Sequence, residues 1–585
     1  MGNIIANNSL RVRIKETIDA SGIIDGHAHH NSGACCPIPL IYAAAEENTF
    51  RVYPTSVYGT RTREWMEWFM AHLGGYKDGI EIQKRHTLDL GNDLAKVNKD
   101  TFANISSSRD FADEYAVKNI DTQIATLVFI ATMDMERAHI AGYDGQTIYI
   151  EEQNKTFYCK RSSGEKPESE EKKVDLSHEI IENEFDKSKE LKLNKWKRQY
   201  KETISAAISN PLHLLPLYFY DPRRFNRPSG IEMPQSMDYG SWDEIFINNQ
   251  IATSYKTGIW AGVKMYPSLG HKPFDELCEY LPDFYNHCAK ENIPILTHCS
   301  PGGMITHDAQ YYMEFDIEFG RLSERRQIAL HKQREKVMRL TGKPASKALG
   351  YPEEWGEITD KYHRFPFDYF YKYYVHPEAW RPVLENFPEM HLCLAHFGGE
   401  EWRRGPISQW NNRPPSEWLK SVIDLTKTYD NVYTDISCFN LNNSLFNDNG
   451  EGKKVRDTFT IMLRWIRDND EYKHLKNKVV FGTDWYLTHL TRKDDGAEYG
   501  NYCRNFKKLI DLVDPTFWVR FTLINPWTFY SMSKEKITNI KEDLKTAGAD
   551  KKALNEQYEK MFELDDEVSQ IKKQLLKMDS DYTKK

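Results

Sequence analysis

Short apolar runs punctuate this chain, most of them stopping abruptly at a polar or ionisable residue. Eight stand out, at residues 23–25, 124–130, 212–220, 260–266, 293–298, 391–396, 432–435 and 479–484. Near-continuous apolar strands are what a parallel sheet buried on both faces requires. Most of the intervening segments are helix-like, so the pattern predicts alternating β and α units. Eight units match a (β/α)8 TIM barrel, which sets the expected fold class as α/β. The separators are uneven, with long stretches at 31–120, 135–210, 301–375 and 485–515. Loops that follow strands in such a barrel lie on its catalytic face, so these insertions are expected there as walls and lids.

Finer patterning divides the chain further. Thr147-Ile148-Tyr149-Ile150 and Thr156-Phe157-Tyr158-Cys159 flank Gln153-Asn154-Lys155 and predict a hairpin. Residues 161–175 read as a flexible connection and 177–208 as a charged helix. After Asn525-Pro526 the chain turns rich in Lys and Glu. Met561, Leu564, Val568, Ile571, Leu575 and Met578 recur there at spacings of three and four, the rhythm of a short helical seam. Packing back on the barrel is the first expectation for that seam, and a homo-oligomer built through it is the alternative. The expected organisation is a lead-in over 1–20, a barrel with inserts over 21–532, and a charged helical extension over 533–585.

Charge narrows the function. The 585 residues hold 78 Lys and Arg against 86 Asp and Glu, a formal net charge of -8. Nucleic acid is held by clustered cations, and this balance offers none. The basic run Lys195-Trp196-Lys197-Arg198 has acidic neighbours and reads as a solvated helix face. No window approaches the ~20 apolar residues that span a bilayer, so no membrane segment is expected. The opening Met1-Gly2-Asn3-Ile4-Ile5-Ala6 lacks a basic segment ahead of an apolar one, so no secretory signal is expected either. Nine cysteines without paired CxxC spacing fit reduced thiols, which points to the cytoplasm.

The chemistry sits where the runs end. The first run leads into Asp25-Gly26-His27-Ala28-His29. Residues two apart on an extended segment point to one side, so a strand ending His-x-His aims two imidazoles at one point, as a metal needs. A pair of loop histidines is the plainer alternative. Later runs land on His298, His396 and Asp484. Each alone is more readily a satisfied structural residue; the weight lies in the ordered set.

That set resembles the amidohydrolase superfamily, whose metal ligands come in the order His-x-His, His, His, Asp on strands 1, 5, 6 and 8. The text around it is closer still to the amidohydrolase-related subgroup of hydrolases and decarboxylases. Similar landmarks are Tyr220-Asp221-Pro222-Arg223-Arg224, Gly262-Val263-Lys264-Met265-Tyr266-Pro267, His376-Pro377, Phe387-Pro388-Glu389, Asn431-Val432-Tyr433-Thr434-Asp435 and Asn525-Pro526. The likeness covers about residues 20–530, interrupted by the inserts. It implies His27, His29, His298 and Asp484 as metal ligands, with His396 binding a second ion in binuclear members or touching water or substrate in mononuclear ones. It also leaves two roles for Lys264: carboxylated and bridging two ions, or ion-paired in the barrel mouth, the latter slightly preferred.

The cofactor implied is one or two divalent ions, Zn²⁺ first, with Mn²⁺, Fe²⁺ and Co²⁺ compatible. Such an ion lowers the pKa of its water from about 15.7 to about 7. Asp484 then suits proton transfer and His396 suits polarising a carbonyl, which makes both the expected catalytic residues. The expected function is a hydrolase that cleaves a C–N or C–O bond of a small-molecule amide, cyclic amide, lactone or ester. One alternative is decarboxylation of an aromatic or unsaturated acid. Another is a silent barrel used as a scaffold. Arg223, Arg224, Asp134 and Trp485 are candidate substrate contacts, with Asp435 and His489 as weaker ones. Cys35, Cys36 and Cys299 are read as inert thiols, and His30 as structural.

Overall fold

The computed structural model describes residues 23–30, 127–132, 138–141, 147–151, 156–160, 203–220 except 205, 222, 259–275 except 270, 281–300, 303–306, 324–345, 363–365, 374–399, 417–439, 441, 443–447, 450–484 and 499–583. Its strands are β1 (Ile24–His30), β2 (Leu127–Thr132), β3 (Ala138–Ala141), β4 (Thr147–Glu151), β5 (Thr156–Lys160), β6 (Leu214–Phe219), β7 (Gly262–Met265), β8 (Ile295–Thr297), β9 (Gly303–Thr306), β10 (His363–Phe365), β11 (Leu392–Leu394), β12 (Val432–Ile436) and β13 (Val479–Phe481). Helices α1 (Leu281–Glu291), α2 (Glu324–Thr341), α3 (Arg381–Asn386), α4 (Glu417–Thr428), α5 (Gly450–Asp468) and α6 (Tyr499–Asp511) fall between or after the later strands. The chain ends in α7 (Thr516–Val519), α8 (Asn525–Phe529), α9 (Lys534–Thr546) and α10 (Lys551–Thr583).

Eight strands form one sheet in the order β1-β2-β6-β7-β8-β11-β12-β13. Every neighbouring pair in it is parallel. Each of the eight expected runs supplies one strand. All described positions of these strands are buried, as strands packed inside and outside must be. The helices bury one stripe each: α1, for example, turns Leu281, Phe284, Tyr285 and Cys288 inward.

The ring closes between its ends. The Thr483 and Asp484 amides both donate to the His27 carbonyl, at 3.1 and 2.7 Å. The Thr483 hydroxyl and amide also donate to the Asp25 carboxylate, at 2.5 and 3.0 Å. Glycine is required at this seam. A Cβ on Gly482 would lie 2.7 Å from that of His27, and one on Gly26 would lie 2.5 Å from Val480 Cγ1. The fold is therefore a (β/α)8 TIM barrel, closed by β1 against β13.

The N-terminal end of the ring is plugged by the segment that runs from α8 through α10. Tyr530, fully buried, stacks on Phe129 with centroids 3.5 Å apart and donates to the Gly26 carbonyl at 2.5 Å. Lys536 donates to the Ala261 and Tyr530 carbonyls at 2.9 and 2.7 Å. Met561, Leu564, Val568, Ile571 and Leu575 of α10 are all buried within the same chain. Asp579 pairs with Arg520 at 3.0 Å and Lys476 at 2.8 Å, tying the helix end beside the start of β13.

The expected hairpin is present: β4 and β5 pair antiparallel from Thr147↔Lys160 to Glu151↔Thr156. β10 adds to β4, and β3 pairs with β9, so the inserts after the second and fifth barrel strands share two small sheets. That linkage left no mark in local patterning. Of the expected helix over 177–208, the described part near 203–209 is helical, while 161–175 lies outside the described residues. No helix among the described residues is long and apolar enough to cross a membrane.

Candidate metal centre

Extended geometry at the end of β1 places the rings of His27 and His29 on one side, with Nε2 atoms 3.0 Å apart. Asp484 reaches the same point from the far side of the closing seam. Its Oδ1 lies 2.9 Å from His29 Nε2 and 3.5 Å from His27 Nε2. Three ligand-type atoms thus converge, all from buried residues. His298, at the end of β8, and His396, just after β11, form an adjoining pair, with Nδ1 of the first 3.1 Å from Nε2 of the second. The His27 and His396 ring centroids are 5.3 Å apart, which joins the two groups. Tyr266 stacks on His298 at 4.1 Å.

Two of these residues owe their aim to unusual backbone. His396 has φ 72° and Asp484 φ 53°, in the left-handed region that costs a non-glycine residue free energy. The chain turns sharply at each strand end and directs the side chain into the barrel mouth. Phe397, at φ 43°, completes the turn after β11.

Behind the histidines lies Asp435, on β12. Its Oδ2 is 2.9 Å from His27 Nδ1, and its Oδ1 accepts the His396 amide at 2.8 Å and the Ser437 hydroxyl at 2.5 Å. His27, His396 and Asp435 also form a group with metal-ligand spacing. Both oxygens of Asp435 are already committed, however, so this carboxylate orients the two histidines from behind.

Burial sets the electrostatics. It pushes His27 well below the ordinary imidazole value, with the Lys264 charge as the next cause. It also lowers His29 and takes His396 down to about 4. Burial opposes ionisation of Asp484, but the facing His29 and His27 outweigh it and hold that carboxyl well below the usual range. Neutral imidazoles beside an ionised carboxylate are the protonation states that metal ligands need.

Lys264 enters the same cluster. It is fully buried, and its Nζ lies 2.9 Å from His27 Nε2. Among the described residues no carboxylate comes within ion-pair distance of it. Burial lowers its amine to about 8, while Asp484 and Asp435 act only at longer range. A protonated amine at this place would repel a cation, so an ion bound here would favour the neutral or modified form of the lysine.

The residues present fit a divalent ion. Two ligands at ~2.1 Å from one ion lie roughly 3 Å apart at angles near 90–110°, the spacing that His27, His29 and Asp484 show. Asp484 Oδ1 is buried and has no hydrogen-bond partner among the described residues, although two imidazole nitrogens face it. An orphaned carboxylate oxygen there is costly unless something else occupies the point of convergence.

Arg223, Arg224, Asp134, Trp485 and His489 lie outside the described residues, as do Cys35, Cys36 and the His30 side chain. Cys299 is buried, its thiol pushed up by burial and directed at the Val375 carbonyl, as an inert residue would be. Ser437 was missed by sequence reasoning. Its one signal is the spacing Asp435-Ile436-Ser437, which at a strand end puts two polar side chains on one side, as His27 and His29 are.

No family model and no curated protein sequence matches the chain. Among solved structures, it is similar to a 5-carboxyvanillate decarboxylase from Novosphingobium aromaticivorans complexed with manganese and 4-hydroxy-3-methoxy-5-nitrobenzoic acid. The identity is 9%, over 88% of this chain and 97% of that one, with a TM-score of 0.34. It is also similar to an amidohydrolase from Burkholderia multivorans with bound zinc (9% identity, 58% and 80% coverage, TM-score 0.27). A dihydroorotase from Campylobacter jejuni is a third (13% identity, 58% and 72% coverage, TM-score 0.25). Amidohydrolase-superfamily structures thus recur among the neighbours, and the barrel is established by its own strand order.

Proposed function

We propose that this chain is a metal-dependent hydrolase of the amidohydrolase type, cleaving a C–N or C–O bond of a small molecule. The observation that carries this reading is the convergence of His27 Nε2, His29 Nε2 and Asp484 Oδ1 across the barrel's closing seam. His27, His29 and Asp484 would hold the ion, and His298 with His396 would complete its surroundings or hold a second. A divalent cation there supplies Lewis acidity and brings the pKa of water toward neutrality, with zinc preferred and manganese, iron or cobalt also suited. Asp484, ionised and at the mouth, accepts a proton from water and passes it to the leaving atom. Tyr266, stacked on His298, fixes that ring.

The test is metal content followed by turnover. The purified protein should retain at least one divalent ion per chain. It should open lactones, cyclic amides or esters in a metal-dependent way that Asp484→Ala abolishes. Carbon dioxide released from an aromatic acid, without such hydrolysis, would move the chain to the decarboxylase reading. No tightly bound ion at saturating zinc would favour a silent scaffold.

A further inference from the structure

We infer that Asp435 and Ser437 form a proton clamp that fixes the tautomers of His27 and His396 together, making Ser437 the positioning residue that couples the two halves of the centre. The inference rests on the metal-centre reading above and concerns which nitrogens the centre can offer.

Ser437, fully buried, stands one residue past β12, and its hydroxyl has a single proton. That proton goes to Asp435 Oδ1 at 2.5 Å. The hydroxyl oxygen can then only accept, and the atoms within reach are His396 Nδ1 at 2.9 Å and His27 Nδ1 at 3.1 Å. His27 Nδ1 has a second acceptor in Asp435 Oδ2 at 2.9 Å, and His396 Nδ1 a weaker one in the Ser437 carbonyl at 3.4 Å. Both rings therefore carry hydrogen on Nδ1 and turn a bare Nε2 lone pair into the barrel mouth. Asp435 cannot rotate away, because its Oδ1 is also tied to the His396 backbone N–H.

One consequence alters an expected role. With its hydrogen on Nδ1, His396 has no donor at Nε2 and cannot polarise a carbonyl by hydrogen bonding. Its place beside His298 is that of a ligand or a proton acceptor.

Two variants test the clamp by different routes. Ser437→Ala removes the principal acceptor for His396 Nδ1 while His27 keeps Asp435. Asp435→Asn inverts the pattern: the His396 N–H holds the amide oxygen in place, so the amide NH₂ must face His27 Nδ1 and drive that ring's hydrogen to Nε2. Affinity for zinc and cobalt is measured by equilibrium dialysis on the full chain, alongside the visible spectrum of the cobalt form. Circular dichroism and melting report the fold. Ser437→Ala should bind 10–100-fold more weakly, as loss of a ligand's supporting partner does, with an altered cobalt spectrum and an unchanged fold. Asp435→Asn should lose more affinity than Ser437→Ala, with its melting temperature kept within a few degrees. Unchanged affinity and spectrum in both variants would overturn the clamp while leaving the centre intact. A wild-type chain that binds neither metal would overturn the centre itself, and the clamp with it.

Discussion

Three imidazoles buried around one carboxylate give the centre a definite response to acid. His396 titrates at about 4 when folded and near 6.5 when unfolded. Between those values the unfolded chain binds more protons, so stability falls as pH drops through the window. Burial moves His27 and His29 the same way, and their losses add. Calorimetry of the metal-free protein should show the melting temperature falling steeply from pH 6.5 toward 4; a flat profile there would mean that the rings are not buried neutral. Lys264 works on the alkaline side. Its amine is lowered to about 8 from about 10.5 when unfolded, so the folded state carries a buried charge below pH 8 that Asp484 and Asp435 only partly offset, and stability rises from pH 8 to 10.5. Lys264→Met should stabilise the metal-free protein at pH 7 by roughly 2–3 kcal/mol and flatten that alkaline rise. A lower melting temperature for the variant would contradict this.

The same residues mark the reach of sequence reading. His27, His29, His396 and Asp484 were visible because each follows or closes an apolar run, and strand periodicity says where such a side chain points. Ser437 was not, since its contacts depend on β12 lying beside β11 and one strand away from β1 in the closed ring, and on a left-handed turn at His396 that propensity does not forecast. Asp435 was visible only as an acid closing a strand.

At the scale of elements, two-sided burial made the barrel strands legible, and a three-and-four rhythm did the same for α10. The cross-pairing of inserts through β3 with β9 and β4 with β10 was hidden, because antiparallel partners far apart in sequence leave no local trace. The destination of the α10 seam was open between the chain's own body and a second copy. Ile571, on that seam, is 2% exposed within this chain. Ile571→Ala should therefore cost about 2–5 kcal/mol of stability, as core truncations do, and leave metal stoichiometry unchanged, because the helix packs at the end of the barrel away from the centre. A substitution that left the melting temperature unaltered would place the seam's packing elsewhere.

The whole molecule separates stability from chemistry along the barrel axis. Tyr530, Lys536 and the α10 seam close the N-terminal end, while the strained turns at His396 and Asp484 open the other. The left-handed turns that aim His396 and Asp484 are supported by packing at the base. The central claim is that the mouth holds an ion, and crystals of the zinc-loaded protein probed by anomalous scattering at the metal edge test it most directly. The account predicts a peak at ~2.0–2.2 Å from His27 Nε2, His29 Nε2 and Asp484 Oδ1 together. Those three side chains splayed apart around empty density, at saturating zinc, would contradict it.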